Sequence, residues 1–218
     1  MNTDLQSSLE HGLEVMGLAM PCAARDKLVA YVELLAKWNA TYNLTAIRDR
    51  SQMVSHHLLD SLVLARFLKP GRLLDVGSGG GLPGIVLAIW AEVAMPGLEV
   101  TVLDANHKKA AFLRQAKAEL KLDQVEVCDQ RVEAWHPEKG FGQITSRAFS
   151  DLGEFHQLTR HLAAGEDTRW LAMKGVHPHE EIAQLPADCA VEAVHRLAVP
   201  GLGAERHLVV MKSVKGAS

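Results

Sequence analysis

Four glycines in five residues, Gly77-Ser78-Gly79-Gly80-Gly81, stand between two apolar runs. Leu73-Leu74-Asp75-Val76 precedes them, and Leu82, Pro83 and the run Ile85 to Trp90 follow. The first run reads as a buried strand, the second as a helix opened by Pro83 in its first turn. Glycines at such a junction let the backbone turn tightly and let a ligand approach with no Cβ in the way. The unpaired N–H groups at the helix start add a slightly positive end. This chemistry suits a nucleotide-type cofactor, and an enzyme is expected rather than a scaffold.

The spacing bears on which cofactor. The dinucleotide fingerprint G-x-G-x-x-G places its first glycine directly after the strand. Counted from Gly77, its sixth position is Leu82, and the register fails. Counted from Gly79 it reaches Gly84, but the turn starts two residues late and Pro83 falls inside it. Asp75-x-Gly77-x-Gly79-x-Gly81 fits without strain and resembles the first motif of S-adenosylmethionine-dependent methyltransferases. A nicotinamide-dependent oxidoreductase would need the Gly79 register, and a non-catalytic RNA-binding module would need no such loop.

The elements that position this loop alternate. Strand candidates are Glu99–Asp104, Val125–Cys128, Gln143–Ser146, Trp170–Lys174 and His207–Met211, with a helix over His107–Leu120. Alternating β and α segments predict a parallel sheet covered on both faces. Asp104, ending its strand, is placed to accept hydrogen bonds from ribose hydroxyls or to cap the His107 helix. Asp129 and Glu133 follow the next strand, where acids accept from an adenine amino group or stay solvated. Before Lys69-Pro70-Gly71, Leu28, Val32, Leu35 and Trp38 keep helical spacing, and Asp60–Phe67 repeats it. Trp38 to Thr45 reads as a structured loop. Residues 1–70 are thus expected to form a helical cap, and 71–218 the catalytic domain.

The 218 residues carry a net charge of −3, with a pI near 6.4, which does not advertise a nucleic-acid binder but leaves room for a local basic face. Lys108, Lys109, Arg114, Arg131, Arg147, Lys174, Arg206 and Lys212 are candidates for one. Cys22, Cys128 and Cys189 are far apart and lack ligand spacing, so neither a disulfide framework nor a zinc site is expected. No apolar run approaches the roughly 20 residues that span a bilayer. The opening MNTDLQSSLEHG lacks a signal peptide's basic and apolar regions. The expected setting is the cytoplasm.

Several segments together resemble the bacterial ribosomal small-subunit methyltransferase G family, also called glucose-inhibited division protein B. They are Trp38–Thr45, Arg48-Asp49, His56–Leu62, Leu74–Ile85, Gln130–Glu133, Thr145–Phe149, Met173–Gly175 and Arg206–Lys212. The resemblance implies an α/β, Rossmann-like, seven-stranded class I methyltransferase sheet with an N-terminal helical extension. It implies methylation of guanine N7 in 16S ribosomal RNA, with S-adenosyl-L-methionine as donor. The RNA is expected within the small ribosomal subunit, and the enzyme is expected to be a monomer. The cofactor positions the resemblance carries over are Gly77, Leu82, Val132, Glu133 and Arg147. Gly79 and Asp104 join them from the reading of the loop and the second strand. Arg147 would pair with the methionine carboxylate or face RNA phosphate.

Guanine N7 has a free lone pair and no proton to remove. The reaction so implied needs alignment and exclusion of water rather than a general base. No Ser-His-Asp set and no metal is expected, and His56, His57, His177 and His179 are not read as ligands. Positive charge on the methylated base would be eased by a carboxylate. Asp60 is the candidate, with holding the cap together as its other reading. Phe149 is the candidate for stacking the target base, whereas Trp38 is read as core.

Overall fold

The computed structural model describes residues 2–147, 149 and 151–214. The first part of the chain is helical: α1 (Asn2–Met16), α2 (Cys22–Tyr42), α3 (Arg50–Met53), a π-helical turn Val54–Leu59, α4 (Asp60–Leu62) and a 3-10 turn Ala65–Phe67. Strands and helices then alternate through β1 (Gly71–Val76), α5 (Gly84–Ala94), β2 (Leu98–Leu103), α6 (His107–Leu120), β3 (Val125–Cys128), β4 (Gln143–Ser146), α7 (Leu152–Thr159), β5 (Arg169–Lys174), α8 (His179–Ala183), β6 (Cys189–Arg196) and β7 (His207–Ser213). The sheet has seven strands in the order β3-β2-β1-β4-β5-β7-β6.

Three sequence expectations are corrected. The sheet is parallel only through β1 to β5, because β7 enters antiparallel to β5 and β6 antiparallel to β7. The segment Trp38–Thr45 is not a loop throughout, since α2 continues to Tyr42. Its polar residues serve the turn that follows. Asn39 is buried, donates to the Ile47 carbonyl at 3.2 Å and accepts from the Thr45 N–H at 2.9 Å. The helix expected over Asp60–Phe67 also starts earlier, at Arg50, where Asp49 accepts from the Ser51 N–H at 2.9 Å as N-cap.

Alternation along the strands supplies a core to each face. Leu73, Val100, Val102, Leu171 and Val210 face α5, α6 and the helical extension. Leu74, Val76, Ile144, Trp170 and Val209 pack with Leu152 and Phe155 of α7 on the other side. Helix α5, GIVLAIWAEVA, is apolar nearly all round because it lies between the sheet and the extension. Trp38 packs on Phe112 at 5.7 Å, a core role.

Candidate active site

The carboxyl ends of β1, β2, β3, β4 and β5 share one edge, where strand order reverses between β1 and β4 and ligands of α/β sheets bind. The glycine loop leaves β1 at that edge. Gly77, Gly79 and Gly81 have φ of 71°, 57° and 87°, the left-handed region that favours glycine. Asp75, fully buried, organises the turn. Its Oδ2 accepts from the Ser78 hydroxyl at 2.6 Å and from the Gly84 N–H at 2.8 Å. Burial pushes its carboxyl up to about 6. The Gly77 and Ser78 N–H groups bond the Leu103 carbonyl, at 2.8 and 3.0 Å. From the extension, the buried Tyr31 hydroxyl donates to the Gly80 carbonyl.

Asp104 binds the loop as well. Its Oδ2 accepts from the Gly79 N–H and its Oδ1 from the Asn106 N–H, both at 2.9 Å. It is not the cap of α6, as one reading of the sequence had it: Asn106 is, accepting from the Lys108 and Lys109 N–H groups.

A cavity of about 240 Å³ opens beside this loop, lined by Val76, Gly77, Leu103, Asp104, Ala105, Arg131, Val132, Glu133 and Phe149. Apolar walls with two carboxylates at the rim suit the adenosine half of a nucleoside cofactor, whose flat base wants apolar faces and whose hydroxyl and amino groups want acceptors. Of the residues expected at the cofactor, Gly77, Asp104, Val132 and Glu133 line this cavity. Gly79 touches it through its bond to Asp104. Leu82 is buried in the core, and Arg147 lines a neighbouring cavity.

That second cavity, about 380 Å³, is bounded by Arg147, Phe149, Met173, Lys174, Gly175, Val176, Pro178, Glu181 and Arg206. Phe149 borders both cavities and packs on Phe155 at 5.1 Å. Asp60 of the extension, with no exposed surface, lies 3.0 Å from Arg147 Nη1 and 2.6 Å from Arg206 Nε. The carboxylate expected to ease charge on the substrate is therefore sealed behind two guanidiniums, and its second reading stands: it ties the extension to the sheet. Lys174 Nζ is 2.6 Å from Glu181 Oε2, which also accepts from the Leu152 N–H at 2.9 Å.

The basic candidates divide. Arg147, Lys174 and Arg206 line the second cavity and Arg131 the first. Lys109 Nζ is 3.7 Å from Asp104, and Lys108 is exposed on the same helix. Arg114 pairs with Asp129 at 2.8 Å. Lys212 sits opposite Arg169, at the other end of the sheet, because β7 runs antiparallel. Ala148, inside the Thr145–Phe149 segment, lies outside the described residues. Among the described residues, no group of three His, Cys, Asp or Glu side chains gathers for a metal ion. His177 and His179 stack at 3.8 Å instead. No helix among them is long and apolar enough to cross a membrane.

Comparison with known proteins agrees with this geometry. Residues 24–209 match the family described as rRNA small subunit methyltransferase G. The chain is 55% identical over 206 residues to the ribosomal RNA small subunit methyltransferase G of Laribacter hongkongensis, covering 94% of this chain and 97% of that one. It is 53% identical over 205 residues to its counterpart in Pseudomonas aeruginosa, covering 94% of each. Among solved structures, an O-methyltransferase from Bacillus cereus in complex with SAH superposes with a TM-score of 0.56 at 18% identity, covering 96% of this chain and 100% of that one, a likeness of fold. The sheet is that of the class I methyltransferases, and the chain belongs to the rRNA small subunit methyltransferase G family.

Proposed function

We propose that this protein transfers the methyl group of S-adenosyl-L-methionine to N7 of a guanine in 16S ribosomal RNA, acting on the small ribosomal subunit as a cytoplasmic monomer. Family membership makes it a ribosomal RNA methyltransferase. The observation that carries the donor site is the glycine loop fastened to Asp104 beside a half-apolar, half-acidic cavity. Gly77, Gly79, Leu82, Asp104, Val132, Glu133 and Arg147 are the residues assigned to the cofactor. Asp104 would take the ribose, Glu133 the adenine amino group, and Val132 and Phe149 the faces of the base. Residues 1–70 serve as a cap and 71–218 as the catalytic domain.

When bound, the cofactor supplies a methyl group on a positively charged sulfur. The chain's own work is positional. The loop fixes the donor, the wall of the second cavity holds the base, and Phe149 between them brings N7 in line with the methyl carbon and keeps water out. N7 gives up no proton, and none is moved by the protein.

Methylated guanines are to be mapped in ribosomal RNA from cells with and without the protein, alongside transfer of labelled methyl to purified small subunits. One guanine in 16S RNA should lose its methyl group, and melting should rise with S-adenosylhomocysteine but not with NAD. An unchanged methylation map, or equal transfer to subunits, unrelated RNA and free guanosine, would overturn the ribosomal assignment.

A further inference from the structure

The second cavity has a chemical asymmetry. Arg147, Lys174 and Arg206 give it three donors, and Phe149, Met173, Val176 and Pro178 give it apolar wall. Glu181 is the one carboxylate on its lining among the described residues. This carboxylate is held by its partners: Oε2 is bonded by the Lys174 ammonium and by the Leu152 N–H. Among the described residues, Oε1 makes no such bond. The side chain keeps a quarter of its surface exposed.

We propose that this cavity takes the flipped-out target base and that Glu181 selects guanine, by accepting hydrogen bonds from its N1–H and its exocyclic N2–H₂. This inference rests on the guanine-N7 reading above. Three observations converge on it. First, about 380 Å³ falls in the range of cavities that enclose a small organic ligand, and a base attacked at a ring atom must leave its stack to reach one. Second, Phe149 is shared with the donor cavity, so a base stacked on it lies next to the methyl group. Third, only purines have an N7, so selection at this edge is between guanine and adenine. Guanine presents two donors on its Watson–Crick edge. Adenine presents an acceptor at N1 and nothing to donate at C2. An ionised carboxylate only accepts, so placed against N1 and C2 it binds guanine and is repelled by adenine N1; adenine's one donor on that edge, N6–H₂, lies where guanine carries O6.

Charge supports the same assignment. The three cations of the cavity are opposed by Asp60 behind them and Glu181 beside them. Methylation at N7 makes the base a cation. Without Glu181 that charge would form beside three cations and one anion. The carboxylate thus binds the correct base and offsets the charge its reaction creates.

The test uses small subunits reconstituted with RNA that carries guanine or inosine at the methylated position. Inosine keeps N7, O6 and N1–H and lacks the amino group. The wild-type enzyme should prefer guanine by about 10- to 100-fold, the worth of a hydrogen bond to a charged group. E181A should be slow on guanine and should methylate the two substrates at nearly equal rates. E181Q keeps an acceptor for the Leu152 N–H and serves where E181A folds poorly; its preference should also shrink. S-adenosylhomocysteine affinity, read by calorimetry, should match the wild type in both, because Glu181 does not line the donor cavity. A merely structural Glu181 would slow both substrates alike and leave their ratio unchanged, which would overturn the assignment, as would a fall in S-adenosylhomocysteine affinity in a folded variant. A wild-type enzyme inert on guanine-bearing subunits would instead overturn the reading on which the assignment rests.

Discussion

Asp60 and Arg206 are 146 residues apart in the chain and 2.6 Å apart at Oδ1 and Nε. The same carboxylate, with no exposed surface, holds Arg147 at 3.0 Å. Asp60→Ala removes the anion between two guanidiniums, and breaking a buried pair in this way costs about 3–5 kcal/mol. Each arginine side chain is about a quarter exposed and rehydrates in part, so the lower end of that range is expected. Urea unfolding of Asp60→Ala checks it, and a loss below about 0.5 kcal/mol would remove Asp60 as the tie between extension and sheet.

Gly79 has a φ of 57°, yet an added Cβ would meet nothing nearer than the Gly77 carbonyl at 3.9 Å. The protein itself leaves room there. Gly79→Val should fold, with a backbone cost of about 1–2 kcal/mol, and should lose measurable binding of S-adenosylhomocysteine by calorimetry. Wild-type affinity in the folded variant would refute the assignment of this loop to the donor.

Asp104 and Asn106 are separated by their bonds. Asn106→Ala loses the N-cap of α6 and should cost about 1 kcal/mol of stability with cofactor affinity kept. Asp104→Ala frees Gly79 and removes the acceptor assigned to the ribose, so affinity should fall about 10-fold or more. Melting curves with and without S-adenosylhomocysteine compare the two. Equal affinities would leave Asp104 a purely structural residue.

Two buried groups oppose each other across acid pH. Burial pushes His57 down to about 4, and among the described residues its Nδ1 has no hydrogen-bond partner. The unfolded chain takes up that proton near pH 6.5 and the folded one does not, so stability is lost as pH falls from about 6.5 to 4. Asp75, raised to about 6, acts in reverse: the folded state holds its proton where the unfolded state has released it, so stability is lost as pH rises from about 4 to 6. Each contribution is about 3 kcal/mol by the size of its shift. His57→Asn should flatten the acid decline seen in denaturant unfolding between pH 7 and 4, and Asp75→Asn should steepen it. Parallel slopes in all three proteins would show that neither residue controls it.

The glycine loop was legible because its requirements are local. Positive φ at Gly77, Gly79 and Gly81 needs glycine within five residues, and the flanking apolar runs announce strand and helix. The helical extension was legible from its 3.6-residue spacing, though the end of α2 was not. Asn39 there looked like a loop residue because its amide works for the turn beyond it. Strand β6 escaped detection because it is an edge strand of mostly half-exposed residues with little alternation. The contacts that assemble the second cavity were not legible. Asp60 meets Arg206 across 146 residues, as Tyr31 meets Gly80 beside the glycine loop across 49, and periodicity carries no information at that range. Glu181 sits among charged neighbours on a five-residue helix, where an acid reads as solvated until the fold sets it against Lys174.

The last described strand of the sheet is not at its edge. β7 is made after β6 and lies between β5 and β6. During synthesis the far margin of β5 therefore stays open until residues 207–213 have cleared the ribosome, and β6 has nothing to pair with. Arg206 arrives with that strand, so Asp60 and the second cavity also wait for it. The bond between Arg206 and Asp60 therefore forms only once β7 is in place. A chain stopped before residue 206 leaves the margin of β5 unpaired, an open strand edge prone to association.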